Sequence, residues 1–122
     1  MNPHGAASTE WNDDLLIVTL QGPFNELGAE ISIALIRNAV INQHKKVWCK
    51  LEFWDDETLG SPCVMGLVEK ASKWYVDNGC FASAVVVSNS LQQQIISKLS
   101  NGRTATFYQQ ADAINWLNEQ RP

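Results

Sequence analysis

Val47–Trp54, VWCKLEFW, is the stretch from which the fold is read. Val47, Cys49, Leu51 and Phe53 fall on one side of an extended chain, and Trp48, Lys50, Glu52 and Trp54 on the other, the period of two that a pleated strand demands. Two charges in mid-strand, Lys50 and Glu52, predict that one face of the sheet meets water. Downstream of the acidic run Asp55-Asp56-Glu57, Ser61-Pro62 reads as a helix start, with the serine as cap and the proline at the first helical position. Val64, Leu67, Val68, Ala71 and Tyr75 then recur at helical spacing, and Asn78-Gly79 supplies the stop.

Working outward, Leu15–Leu20 (LLIVTL) is predicted as a short buried strand between the turn formers Asn12-Asp13-Asp14 and Gly22-Pro23. His4–Glu10 is placed beside it as the other arm of a hairpin. Ala29–Asn42 reads as a helix with a wide apolar arc (Ile31, Ile33, Leu35, Ile36, Ala39, Val40) suited to lying on a sheet. On the C-terminal side, Phe81–Val87 is a strand, and Ser88–Ser90 leads into a helix carrying Leu91, Ile95, Ile96 and Leu99 that stops at Asn101-Gly102. Thr104–Tyr108 is a short strand and Ala111–Gln120 a last helix with Ala113, Ile114 and Leu117 inward. The order β-β-α-β-α-β-α-β-α predicts one α/β domain over residues 1–122. Its sheet is expected to be mixed, with four to five strands and helices mainly on one face.

Composition agrees with a single folded domain: 122 residues, 45% hydrophobic and 18% charged. A net charge of −4 argues against a nucleic-acid partner. The longest apolar stretches, such as Ala84–Val87, are too short to span a membrane. Met1-Asn2-Pro3-His4 shows no cationic start followed by an apolar block, so a cytoplasmic location is expected. The three cysteines, Cys49, Cys63 and Cys80, contain no C-x-x-C pair, which fits reduced thiols, and only His4 and His44 supply imidazole. No metal site, cofactor or catalytic residue is therefore expected.

The strand LLIVTLQGPFN, the strand end LEFWDDE followed by the Ser61-Pro62 helix, the strand VVVSNS and the closing ATFYQQADAINWL segment together resemble the STAS domains (sulfate transporter and anti-sigma-factor antagonist). The resemblance is greater to their SpoIIAA-like branch, related to the lipid-binding CRAL-TRIO proteins. The last segment matches a helix of the type x-x-Ala-x-x-Trp-Leu, here Ala113, Trp116 and Leu117. This resemblance implies a non-enzymatic regulatory or protein-interaction module. It also implies an alternative, a carrier of a small apolar or lipid ligand in a groove beside the sheet. In the anti-sigma antagonists a serine at the start of the second helix is phosphorylated; the corresponding stretch here is Leu59-Gly60-Ser61-Pro62-Cys63, with one serine and no preceding Asp.

Four sites follow as expectations. Ser61 is a candidate phosphoacceptor at the positive end of a helix, or simply its cap. Cys63, in the first turn of that helix, is read as a half-buried structural cysteine, because no histidine lies near it in sequence to serve as base. Trp48 and Trp54, on the polar side of their strand, join Asp55, Asp56 and Glu57 as a candidate surface for a protein partner or for a second copy in a homodimer. Ile41, Met65 and Val76, flanking the apolar stripes of the first two helices, are candidates for a ligand groove.

Overall fold

The structure, a computed structural model, describes residues 1–99 and 103–122; the helix stop expected at Asn101-Gly102 lies outside them. Strands β1 (Ala6–Asn12) and β2 (Leu15–Gln21) pair antiparallel across a turn in which Asp13 takes the left-handed conformation (φ 54°). There follow α1 (Glu26–Gln43), β3 (Trp48–Trp54), α2 (Pro62–Asp77), β4 (Cys80–Val86), α3 (Ser90–Leu99), β5 (Thr104–Phe107) and α4 (Gln110–Glu119). The five strands lie in the order β1-β2-β3-β4-β5, and all neighbours after the first pair run parallel. The sheet is thus mixed. The hairpin is antiparallel because its turn is tight, and the rest is parallel because a helix crosses over between strands.

Local chemistry sets the helix ends. Asn25 caps α1, its side-chain oxygen accepting from Gly28 N at 2.8 Å, and His44 closes it in the left-handed conformation. The helix begins earlier than the apolar arc suggested, because the cap lies upstream of that arc. Ile36 and Val40 point inward, whereas Ile31, Leu35 and Ile41 are exposed. The sheet covers only part of the apolar surface that α1 offers.

Helices cover both faces of the sheet unequally. Leu16, Val18, Trp48 and Cys80 meet Ile36 and Val40 of α1 and Ala71 and Tyr75 of α2. On the same face Trp54, Val85 and Val87 pack with Ile96 of α3. The opposite face, with Cys49, Leu51, Ala82 and Ala84, is closed by Ala113 and Leu117 of α4. A register slip between Trp48 and Cys49 sets Cys80 opposite Trp48 but Ala82 opposite Cys49, so β4 serves both layers despite the odd residue between.

The side of β3 expected to meet water is instead the one beneath α1 and α2. Lys50 and Glu52 are only 4% and 9% exposed, and Trp48 and Trp54 are buried beside them. Right-handed crossovers from β2 to β3 and from β3 to β4 carry both long helices onto this face. The charges tolerate it because they pair with each other. With both indoles inside, Trp48 and Trp54 are removed from the partner surface proposed for them: Trp48 Nε1 donates to Asn78 O at 2.8 Å and Trp54 Nε1 to Glu52 Oε1 at 3.0 Å. Trp11, from the hairpin, stands edge-on to Trp48 with ring centroids 5.8 Å apart.

Gly79, between α2 and β4, has φ +100°, and a Cβ there would run into the carbonyl oxygen of Lys46. Its own carbonyl accepts from Trp48 N at 3.0 Å, aligning β3 with β4. Gly79→Ala is therefore expected to cost about 2 kcal/mol or more in urea-induced unfolding; a change below about 0.5 kcal/mol would show that the turn relaxes freely.

Candidate functional site

Above Lys50, Glu52 and Trp54 a cleft separates α1 from α2. Ile33 and Ile36 form one wall, Val64, Met65 and Val68 the other, and Leu20 and Leu59 close one end. Small residues where the helices would otherwise touch the floor, Ala29 and Ser32 on α1 and Ala71 and Ser72 on α2, leave the space between them. The cavity volume is about 70 Å³, and its mouth is open to solvent. A smaller cavity, about 40 Å³, lies toward Ile96 and Leu99 of α3 and shares the same Lys50–Glu52–Trp54 floor.

The floor is polar and the walls are not. Lys50 Nζ is hydrogen-bonded to Glu52 Oε2, and the carboxylate's other oxygen accepts from Trp54. Two residues apart on a strand, the partners share a face, which is what lets neighbours in sequence pair. Burial pushes the Lys50 ammonium down to about 8, still protonated at neutral pH. The ammonium also lies 4.8 Å from the centre of the Tyr75 ring. Burial raises the Tyr75 phenol well above its ordinary range, so it stays a neutral donor and acceptor.

The acidic loop is a structural knot. Asp55 Oδ1 accepts from Thr58 Oγ1 at 2.6 Å and from the backbone N–H groups of Gly22 and Glu57, each at 3.2 Å. The Thr58 hydrogen bond is the main reason its carboxyl is held below the usual range. Asp56 and Glu57 remain exposed at the surface. Gln92, fully buried in α3, donates to the carbonyls of Asp55 at 2.6 Å and Thr58 at 3.2 Å and accepts from Ser88 N at 2.8 Å. Sequence reading missed this clamp, since one glutamine in Gln92-Gln93-Gln94 carries no local sign of burial.

Ser61 is exposed, and its hydroxyl accepts from Val64 N at 3.2 Å, a working N-cap. Cys63 is exposed rather than half-buried, because it occupies the outer side of the first turn. Its hydrogen bond to Glu26 raises the thiol's pKa. Of the three groove candidates, Met65 lines the cleft, but Ile41 and Val76 do not. Ile41 is exposed, and Val76 is half-buried beside Tyr75 near the end of α2 without reaching the cleft. Among the described residues no cluster of His, Cys, Asp or Glu is arranged to hold a metal ion, and no helix is long and apolar enough to cross a membrane.

Three measurements check this geometry. Lys50→Met leaves Glu52 buried without its partner and is expected to cost about 3–5 kcal/mol of stability, most of which Lys50→Met/Glu52→Gln recovers by removing the stranded charge. Ser61→Ala is expected to lose about 1 kcal/mol, and Ser61→Asp, which can still cap, to lose much less. Asp55 has a folded pKa below its unfolded value near 4, so its contribution is present above about pH 4 and lost as pH falls through the lowered pKa. Asp55→Asn, which cannot ionise, should flatten that acid limb by losing at pH 7 the contribution that the wild type loses only in acid; an unaltered limb would contradict the assignment.

No protein-family model and no curated protein matches this chain. Its fold is similar to the crystal structure of an uncharacterized DUF3478-family protein from Shewanella loihica PV-4 that has a SpoIIAA-like fold. The TM-score is 0.65 at 18% identity, with 96% of each chain covered. At that identity the likeness is one of fold, and it agrees with the strand and helix order described above: the chain has a SpoIIAA-like α/β fold.

Proposed function

We propose that the protein is a non-enzymatic, regulatory binding module whose site is the cleft between α1 and α2, and that it takes a small, largely apolar molecule there. The observation that carries this reading is the cleft itself, an apolar space with a few polar groups converging on its floor, the arrangement typical of small-molecule sites. Binding is favoured over chemistry because the Cys63 thiol is pushed up by Glu26, the opposite of what a nucleophile needs. Free cysteines at positions 49, 63 and 80 support a reducing, cytoplasmic setting.

A protein partner is the second reading, and one observation favours coupling it to the first. The helix capped by Ser61 is also the cleft wall that carries Val64, Met65 and Val68. A ligand that moves this wall would alter the exposed surface around Ser61, Asp56 and Glu57. Pairing with a second copy has lost the tryptophans that suggested it.

Native mass spectrometry of freshly purified protein tests the cleft reading. The expected result is an added non-covalent mass that disappears on denaturation and is reduced by Ala71→Phe, which fills the floor. Bare protein from unrelated expression hosts would contradict it.

A further inference from the structure

Two hydroxyl side chains at the cleft are left without partners. Ser32 and Tyr75 line it, are 6% and 4% exposed, and make no side-chain hydrogen bond to any described residue. Arg37 Nε is the one fully buried side-chain polar atom without a partner among the described residues, so these two hydroxyl oxygens open onto the cleft rather than into packed protein. The other serine of this lining, Ser72, instead donates back to Val68 O at 3.1 Å. Ser32 and Tyr75 thus keep donor and acceptor capacity for something in the cleft.

The charge of the floor narrows what that something is. Lys50 and Glu52 are in contact, so their sum is zero wherever the shared proton sits. A carboxylate or phosphate brought to this floor would add a second negative charge beside Glu52, and an ammonium a second positive charge beside Lys50. Either would leave one charge in excess beside a pair that is itself buried, which is expensive. An uncharged hydroxyl or carbonyl adds no charge and can meet both free hydroxyls.

Resting on the cleft reading above, we propose that the site selects an uncharged amphiphile, an apolar body ending in a hydroxyl or carbonyl group that hydrogen-bonds to Tyr75 and Ser32 above the Lys50–Glu52 pair. The cavity of about 70 Å³ takes the head and the first methylenes, and the apolar mouth between Ile33 and Met65 takes the rest. The pair is then a selectivity element that rejects ionised heads of either sign.

Isothermal titration of the whole chain at pH 7 with 1-octanol, octanoate and octylamine tests this with one tail and three heads. The expected result is that 1-octanol binds at least roughly tenfold more tightly than either ion. Tyr75→Phe and Ser32→Ala, both conservative enough to keep the circular dichroism spectrum, are each expected to weaken 1-octanol roughly fivefold to tenfold, the usual effect of one hydrogen bond. Equal or tighter binding of octanoate or octylamine would overturn the choice of head while leaving the cleft in place. Unchanged 1-octanol affinity in both variants would also overturn it. Failure of all three compounds to bind would overturn both this proposal and the cleft reading on which it rests.

Discussion

Lys50 and Glu52 stand two residues apart on one face of the central strand, and taking both out of water is tolerable only while they remain in contact. Much else follows from that constraint. Trp54 must turn inward to supply the second hydrogen bond to Glu52, and Tyr75 of α2 must lie over the ammonium. The two long helices shield the pair from solvent without packing tightly onto it, because Ala29, Ser32, Ala71 and Ser72 are too small to fill the space. The polar floor and the open space above it therefore have a common origin.

The region beside the pair is held from several directions. Asp55 ties the end of β3 to the β2–α1 connection through Gly22, and Gln92 of α3 binds the same loop through two carbonyls. Ser61 then starts α2 at a fixed point. The acidic run is thus chiefly architecture: one carboxylate organises the loop, and Asp56 and Glu57 give it its charged surface.

The order of strands and helices was legible in the sequence because apolar periods of two and near four are separated by strong turn chemistry, such as Asn12-Asp13-Asp14 and Asn78-Gly79. Ser61 as a cap was legible for the same local reason. The face of β3 was not. Alternation tells which residues share a side but not which side the crossover helices take, and Lys50 and Glu52 pointed to water until their pairing was considered. That one inversion moved Trp48 and Trp54 from a supposed surface to the interior. Of the cleft, only Met65 was anticipated. Ser32 and Tyr75 come from different helices, and nothing local announces that both line one cleft.

The central claim is that the space between α1 and α2, over the Lys50–Glu52 pair, is where this fold binds a small molecule. Methyl-resolved NMR during titration with 1-octanol tests it most directly. The account predicts shifts concentrated at Val64, Met65, Val68, Ala71 and Ile36, with Ile31, Leu35 and Leu91 on the outer surface unmoved. Shifts confined to those exposed methyls, with the cleft methyls silent, would contradict it.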